Sequence, residues 1–208
     1  MNTKGAYDNW AESYDIVDNP TRSLDEKVVR TLLIDLEGKD IVEAGCGTGK
    51  NSVWFAEKGK SLKAFDYSKE MLSLARKKVI NNNAEFSLQD ITILWPFDNQ
   101  ICDLVSINLI LEHIENIDFV FKEAFRILKP NGKLFICELH PSKQEKGSVA
   151  RFTDDSTNTE IKLVSYFHSK KDFQNAGKSS GFKSIKLQDW YDETCENIPR
   201  LLSILMTK

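Results

Sequence analysis

The stretch Ile41-Val42-Glu43-Ala44-Gly45-Cys46-Gly47-Thr48-Gly49 constrains this chain more than any other. A short apolar strand runs into it and a helical pattern leaves it. Glycine lets the backbone turn tightly there and lets a ligand approach without meeting a Cβ. In open parallel sheets, a strand-to-helix turn of this kind is where ligands bind. Alone, such a loop selects no particular ligand and serves equally well as a plain turn in an α/β protein.

The sequence on either side fixes the fold class. Helical spacing begins the chain, with Trp10, Tyr14 and Val17 able to share one face. Asn19-Pro20 breaks that segment, and a second helical pattern runs from Leu24 to Leu36. From Asp40 onward strands and helices alternate. Ile41-Val42, Leu62–Phe65, Glu85–Leu88, Asp103–Asn108 and Lys133–Cys137 read as strands. Ser52–Lys58, Lys69–Val79 and Ile117–Leu128 read as the helices between them, Ser68 capping the second. Lys129-Pro130-Asn131-Gly132 stops the third helix, and Ser169-Lys-Lys-Asp172 has the form of a capping box for one more, ending near Gly181. Late strands fall near Lys183–Leu187 and Leu201–Met206. This alternation predicts an α/β fold with a parallel sheet covered on both faces. Residues 1–208 read as one domain, with a helical cap over 1–38 and a possible substrate lid over 139–168. The polar run Pro141–Glu160 is the one long stretch expected to be irregular.

Glycine spacing narrows the ligand. A dinucleotide fingerprint needs Gly-x-Gly-x-x-Gly, but position 50 is Lys50, and a phosphate-binding P-loop would need Gly-Lys-Ser/Thr at its end. The glycines fall instead at 45, 47 and 49. Asp66 closes the second strand, 17 residues after Gly49, where a carboxylate can accept two hydrogen bonds from a ribose diol. NAD sites use the same acid, so Asp66 points to a nucleoside without saying which.

Gly-x-Gly-x-Gly, with Glu43 two residues ahead of it, resembles motif I of the class I S-adenosylmethionine-dependent methyltransferases. Further matches follow in order. Phe86-Ser-Leu-Gln89-Asp90-Ile91 is similar to the family's segment after the third strand, and Cys102–Asn108 followed by Leu111-Glu-His113-Ile to its fourth strand and continuation. Phe121–Leu134 resembles the helix, turn and strand that close its core. Tyr7-Asp-Asn-Trp10-Ala-Glu-Ser-Tyr14-Asp15 resembles the opening of small-molecule members, including the ubiquinone and menaquinone methyltransferases. The resemblance implies a Rossmann-like, seven-stranded, mostly parallel sheet with helices on both faces and an N-terminal helical cap. It implies S-adenosyl-L-methionine as cofactor, covered by Trp10 and Tyr14 and held at Glu43, Gly45, Cys46 and Gly47. Asp66 would meet the ribose and Asp90 the adenine amino group, with its neighbour packing on the ring. Tyr67, Met71, Gln89, Ile91 and Asn108 complete the expected cofactor-binding set.

Methyl transfer from a sulfonium depends chiefly on alignment of the acceptor and exclusion of water. A base matters for a hydroxyl or carbon acid, whereas a neutral amine attacks unaided. The candidate bases are His113, His140 and His168, each equally capable of a structural hydrogen bond. A formal charge of −3 and a pI near 5.7 leave no broad footprint for nucleic acid, and Arg76-Lys77-Lys78 reads as a solvated helix face. Asn108-Leu-Ile-Leu111 lacks the Asn/Asp-Pro-Pro-Tyr/Phe of base-amine methyltransferases, so a small-molecule acceptor is expected. No run approaches the roughly 20 apolar residues of a membrane span. The four cysteines show no metal-ligand spacing, and a reduced cytoplasmic setting with no metal is expected. The other readings are a non-catalytic S-adenosylmethionine-binding protein and an NAD(P)-dependent oxidoreductase. Acceptor and oligomeric state are not legible.

Overall fold

The computed structural model describes residues 3–32, 35–154, 159–192 and 197–208. Helices α1 (Thr3–Tyr14) and α2 (Pro20–Leu32) come first. Then follow β1 (Asp40–Ala44), α3 (Lys50–Lys58), β2 (Ser61–Asp66), α4 (Lys69–Lys78), β3 (Ala84–Leu88) and β4 (Cys102–Asn108). A 3₁₀ turn at Leu111–His113 leads to α5 (Ile117–Ile127) and β5 (Leu128–Leu139). The remainder is α6 (Pro141–Glu145), β6 (Arg151–Asp154), β7 (Thr159–Lys162), α7 (Lys170–Ser180), β8 (Ser184–Trp190) and β9 (Leu201–Thr207).

Seven strands form one sheet in the order β3-β2-β1-β4-β5-β9-β8. Neighbours from β3 to β5 are parallel, and β9 runs antiparallel between β5 and β8. Burial follows position in the sheet. Central β1 and β4 are buried on both faces, while edge strand β8 alternates exposed and half-buried residues. Successive residues therefore feed two cores. Val42, Val105 and Ile136 pack with Phe121 of α5 and Phe173 of α7. Ile41, Leu104 and Phe135 pack on the opposite face with Val28 and Val29 of α2 and Phe55 of α3. Cys46, Cys102 and Cys137 are buried free thiols, and Cys195 lies outside the described residues.

Several boundaries differ from expectation for identifiable reasons. Helix α1 stops at Tyr14, so Val17 lies beyond it and is 55% exposed rather than sharing a face with Trp10 and Tyr14. Pro20 does not merely break a helix. It opens α2, since a first-turn residue needs no N–H, and the Asn19 side chain accepts from the Thr21 and Arg22 amides at 3.0 and 3.1 Å. The turn at Lys129–Gly132 is absorbed into β5 as an irregularity, with Leu128 opposite Cys102 and Lys133 opposite Leu104. The stretch expected to be irregular holds α6 and a separate antiparallel pair, β6 with β7. In β7, Thr159, Glu160 and Lys162 are exposed, so no apolar alternation marked the strand. Both predicted caps are present, at Ser68 and in the Ser169–Asp172 capping box.

Candidate functional site

The parallel strands all deliver their carboxyl ends to one edge of the sheet. Chain order reverses between β1 and β4, the position at which open α/β sheets bind ligands. A cavity of about 210 Å³ lies there. Gly45 and Gly47 line it after β1, Asp66, Tyr67 and Met71 at the end of β2, Gln89, Asp90 and Ile91 after β3, and Asn108 with Leu109, Ile110 and His113 at the end of β4, so Asp90 and His113 fall at opposite ends along the strand order. Tyr7 and Tyr14 of α1 also line it.

The loop conformation requires glycine. Gly45 has φ +74°, and a Cβ there would stand 2.1 Å from the Ile110 side chain. Gly47 has φ +52° with nothing within 4 Å of a Cβ position, so bare backbone faces open space. The carbonyl of Phe65 accepts from both Gly45 and Cys46, at 2.8 and 3.0 Å, tying the loop to the end of β2. Asp66 completes that tie, accepting from the Gly47 amide and from the Ser68 amide, each at 2.9 Å. Burial pushes its carboxyl above the ordinary range, opposed by these backbone N–H groups.

Not every expected contact lines the cavity. Glu43 sits beneath the loop, buried, and accepts a short hydrogen bond from Ser52; burial pushes its carboxyl up to about 8. Cys46 is also buried under the turn. Trp10 faces an adjoining chamber rather than this one. Asp90 does line the cavity, and one of its oxygens accepts from the Thr92 amide and hydroxyl at 2.8 and 2.7 Å.

The three histidines lie in different places. His113 lines the cavity; its Nε2 is 2.9 Å from the Tyr7 hydroxyl and its Nδ1 is 3.0 Å from the Val164 carbonyl. A carbonyl only accepts, so in the neutral ring Nδ1 carries the proton and Nε2 accepts from Tyr7. Burial, the largest influence, raises the Tyr7 phenol well above its ordinary value, so it stays protonated. His140 instead caps α6, its Nδ1 accepting from Ser142 at 3.1 Å, with Nε2 3.3 Å from Asp189. Burial, then Lys170, pushes its pKa down. His168 is buried against Phe173, its Nε2 2.8 Å from the Ile114 carbonyl. Neither lines the cavity.

Three site residues were not anticipated from sequence. Tyr7 stacks with Trp10 at a ring centroid distance of 5.8 Å, meets Tyr14 at a tilt at 6.3 Å, and supplies the partner of His113. Asp25 of α2 is buried and accepts from Asn108 at 2.7 Å and Asn51 at 2.8 Å, which orients the Asn108 amide. Glu138 is buried and accepts from the Ile110 and Leu111 amides, each at 3.0 Å. It holds the turn that carries Leu109, a residue in the left-handed region at φ +56°. Such an outlier is kept only where its surroundings enforce it. An acid inside an apolar strand, as in Ile-Cys-Glu138-Leu, was the available signal. Helix α1 and the residue that follows it are latched to the body: Ser68 donates to Asp8 at 2.6 Å, Thr48 to Asp15 at 2.9 Å, and Lys78 of α4 pairs with Asp15 at 2.7 Å.

Comparison with known proteins agrees with this arrangement. Residues 42–136 match a methyltransferase domain family. The chain is 34% identical over 102 residues to a demethylmenaquinone methyltransferase of Clavibacter sepedonicus, covering 49% of this chain and 41% of that one. It is 30% identical over 109 residues to a ubiquinone biosynthesis O-methyltransferase of Coxiella burnetii, covering 51% and 46%. The chain thus spans less than half the length of these two relatives. Among solved structures, an S-adenosylmethionine-dependent methyltransferase from Mesorhizobium loti superposes with TM-score 0.73 at 19% identity, covering 88% of this chain and 96% of that one. DhpI in its complex with SAH gives 0.74 at 20%, covering 97% and 93%. Residues 42–136 thus match a methyltransferase domain, and the chain shares its strand order and fold with solved S-adenosylmethionine-dependent methyltransferases.

Proposed function

We infer that the chain transfers a methyl group from S-adenosylmethionine to a small-molecule acceptor. The observation that carries this is the joining of the glycine loop and Asp66 on one side of a cavity with Asp90 at its far end and His113 at the other. The bare backbone at Gly47 and the carboxylate at Asp66 fit a nucleoside, and Met71 and Ile91 offer apolar contact for a flat base. When bound, the cofactor supplies an electrophilic methyl group with its leaving group built in.

The chain's own residues then have separable tasks. Asp66 orients the sugar, and Asp25 through Asn108, with Glu138 through Leu111, hold the β4 end in place. Tyr7 and Tyr14 exclude water from above. His113 Nε2, exchanging with the Tyr7 hydroxyl, receives the proton of a hydroxyl acceptor; His140 and His168 keep structural tasks. Residues 1–38 act as the cap, supported by the latches from Asp8 and Asp15. Residues 139–168 act as the lid; of its aromatic residues, Tyr166 donates its amide to the Glu112 carbonyl at 2.7 Å, Phe167 is exposed, and the Phe152 side chain lies outside the described residues. Among the described residues no helix is long and apolar enough to cross a membrane. A cytoplasmic enzyme acting on a small molecule rather than nucleic acid is the reading supported by the acidic balance and the free buried thiols.

A thermal-shift comparison tests the cofactor. A ligand at 100 times its Kd adds about 2.7 kcal/mol to the native state, which is about 5–10 °C for a domain this size. S-adenosylmethionine and S-adenosylhomocysteine should produce that shift while NAD(H) and NADP(H) do not. Stabilisation by the dinucleotides alone would contradict the reading.

A further inference from the structure

A second chamber, about 260 Å³, adjoins the first and shares Tyr7, Tyr14 and Leu109 with it as a common wall. Among the described residues, the first chamber is lined by two carboxylates, Asp66 and Asp90, and by no lysine or arginine. The second is lined by Arg22, Lys143, Arg151 and Arg200 against Asp18 and Glu112. In a chain of net charge −3, this concentration of cations is local.

The cations are not equally available. Arg22 donates to the carbonyls of Tyr14 and Val17 and lies over the Tyr14 ring, 4.1 Å from its centroid. Arg200 is engaged with Asp192 and Thr21. These two build the wall. Arg151 stands 3.6 Å from Glu160 with its side chain 62% exposed. The Lys143 ammonium, on α6, makes no hydrogen bond or ion pair among the described residues. Opposite stands Glu112, only 8% exposed, with Oε1 4.0 Å from His113 Nε2; burial pushes its carboxyl up, while His113 and a hydrogen bond from the Gln144 side chain oppose the rise. As a carboxyl that lines the chamber, Glu112 can accept a hydrogen bond from a ligand donor.

We propose that the second chamber is the acceptor site and takes a small acceptor with an oxyanion, carboxylate or phosphate, at the Lys143–Arg151 end and a hydroxyl or amine donor against Glu112. This rests on the methyltransferase reading. The donor end then lies beside His113 and Tyr7, at the wall shared with the cofactor chamber, while Trp10, Tyr7 and Tyr14 offer a flat apolar side. The chamber is smaller than the roughly 300–1,000 Å³ typical of drug-sized ligand pockets, which suits a compact acceptor.

Calorimetric titration of the full chain, saturated with S-adenosylhomocysteine, tests this with three probes of one shape: 4-hydroxybenzoate, 4-hydroxyphenyl phosphate and neutral 4-hydroxybenzamide. At least one charged probe should bind about tenfold or more tightly than the amide, the yield of one charge-assisted hydrogen bond. Which charged probe binds better identifies the oxyanion. Lys143→Ala should erase the preference without changing affinity for S-adenosylhomocysteine, and Glu112→Gln should weaken all three probes alike. Equal binding of the three, binding of none, or a preference that survives Lys143→Ala overturns the proposal. Failure of S-adenosylhomocysteine itself to bind would instead remove the methyltransferase reading, and the charge preference would then be read on the chain alone.

Discussion

Two chambers separated by one wall carry opposite charge. The first offers Asp66 and Asp90; the second offers Lys143 and Arg151 with one buried acid, Glu112. S-adenosylmethionine carries a sulfonium and an ammonium against one carboxylate, a net cation, and so matches the acidic side. The basic side repels that ligand and favours an anion-bearing acceptor. Electrostatic complementarity of this kind sorts partners more than it adds affinity. The wall itself, Tyr7, Tyr14 and Leu109, is where the reacting groups would meet, and His113 reaches it through Tyr7.

The largest expected effect lies at that wall. His113→Ala should lower kcat by about 10²–10⁴ for a hydroxyl acceptor, the usual contribution of a positioned acid–base group. Affinity for S-adenosylhomocysteine should stay nearly unchanged. Turnover equal to the parent chain's would place the histidine outside the proton path, as for an amine acceptor.

Next comes the acidic chamber. Asp66→Asn removes charge from a group meant to accept two hydrogen bonds, each worth about 1.5–3 kcal/mol. Titration should show S-adenosylhomocysteine weakened about a hundredfold or more, with binding of the charged probes in the second chamber preserved. Equal loss in both chambers would mean that the substitution has collapsed the loop and that the chambers are not separable. The roughly tenfold loss of anion preference expected for Lys143→Ala ranks below this.

The smallest effect concerns stability. Burial raises the Glu138 carboxyl from its ordinary 4.5 to about 8. The folded chain therefore holds a proton that the unfolded chain has released. Stability from this group is complete below pH 4.5 and is lost as pH rises through about 8. Glu138→Gln should flatten that decline and raise Tm at pH 8 relative to the parent, by about 2–4 °C for each kcal/mol recovered. A Tm difference that does not change between pH 5 and pH 8 would contradict it. Glu43, also raised to about 8, should behave the same way.

The fold was largely legible because its signals are local. Strand-to-helix alternation, the glycines at 45, 47 and 49 and the caps at Ser68 and Ser169 each act within a few residues. The nearness of Asp66 and Asp90 was legible for the same reason, since they end β2 and follow β3, strands that a parallel sheet brings together. What failed was long-range. Tyr7 meets His113 across 106 positions and Asp25 meets Asn108 across 83, and no spacing rule connects them. The three histidines looked alike in sequence, yet His140 caps the short helix that follows it, and tertiary packing sends His168 into the core beside Phe173. The basic chamber was hidden because its walls come from α1, α2, the lid and the approach to β9, each unremarkable alone.

The most direct test of the central claim is a crystal structure of the chain grown with S-adenosylhomocysteine. The ribose hydroxyls should bond Asp66, the adenine should lie by Met71 and Ile91 with its amino group toward Asp90, and the sulfur should face the wall at Tyr7 and Leu109. A ribose away from Asp66, or a ligand seated in the basic chamber, would contradict the account.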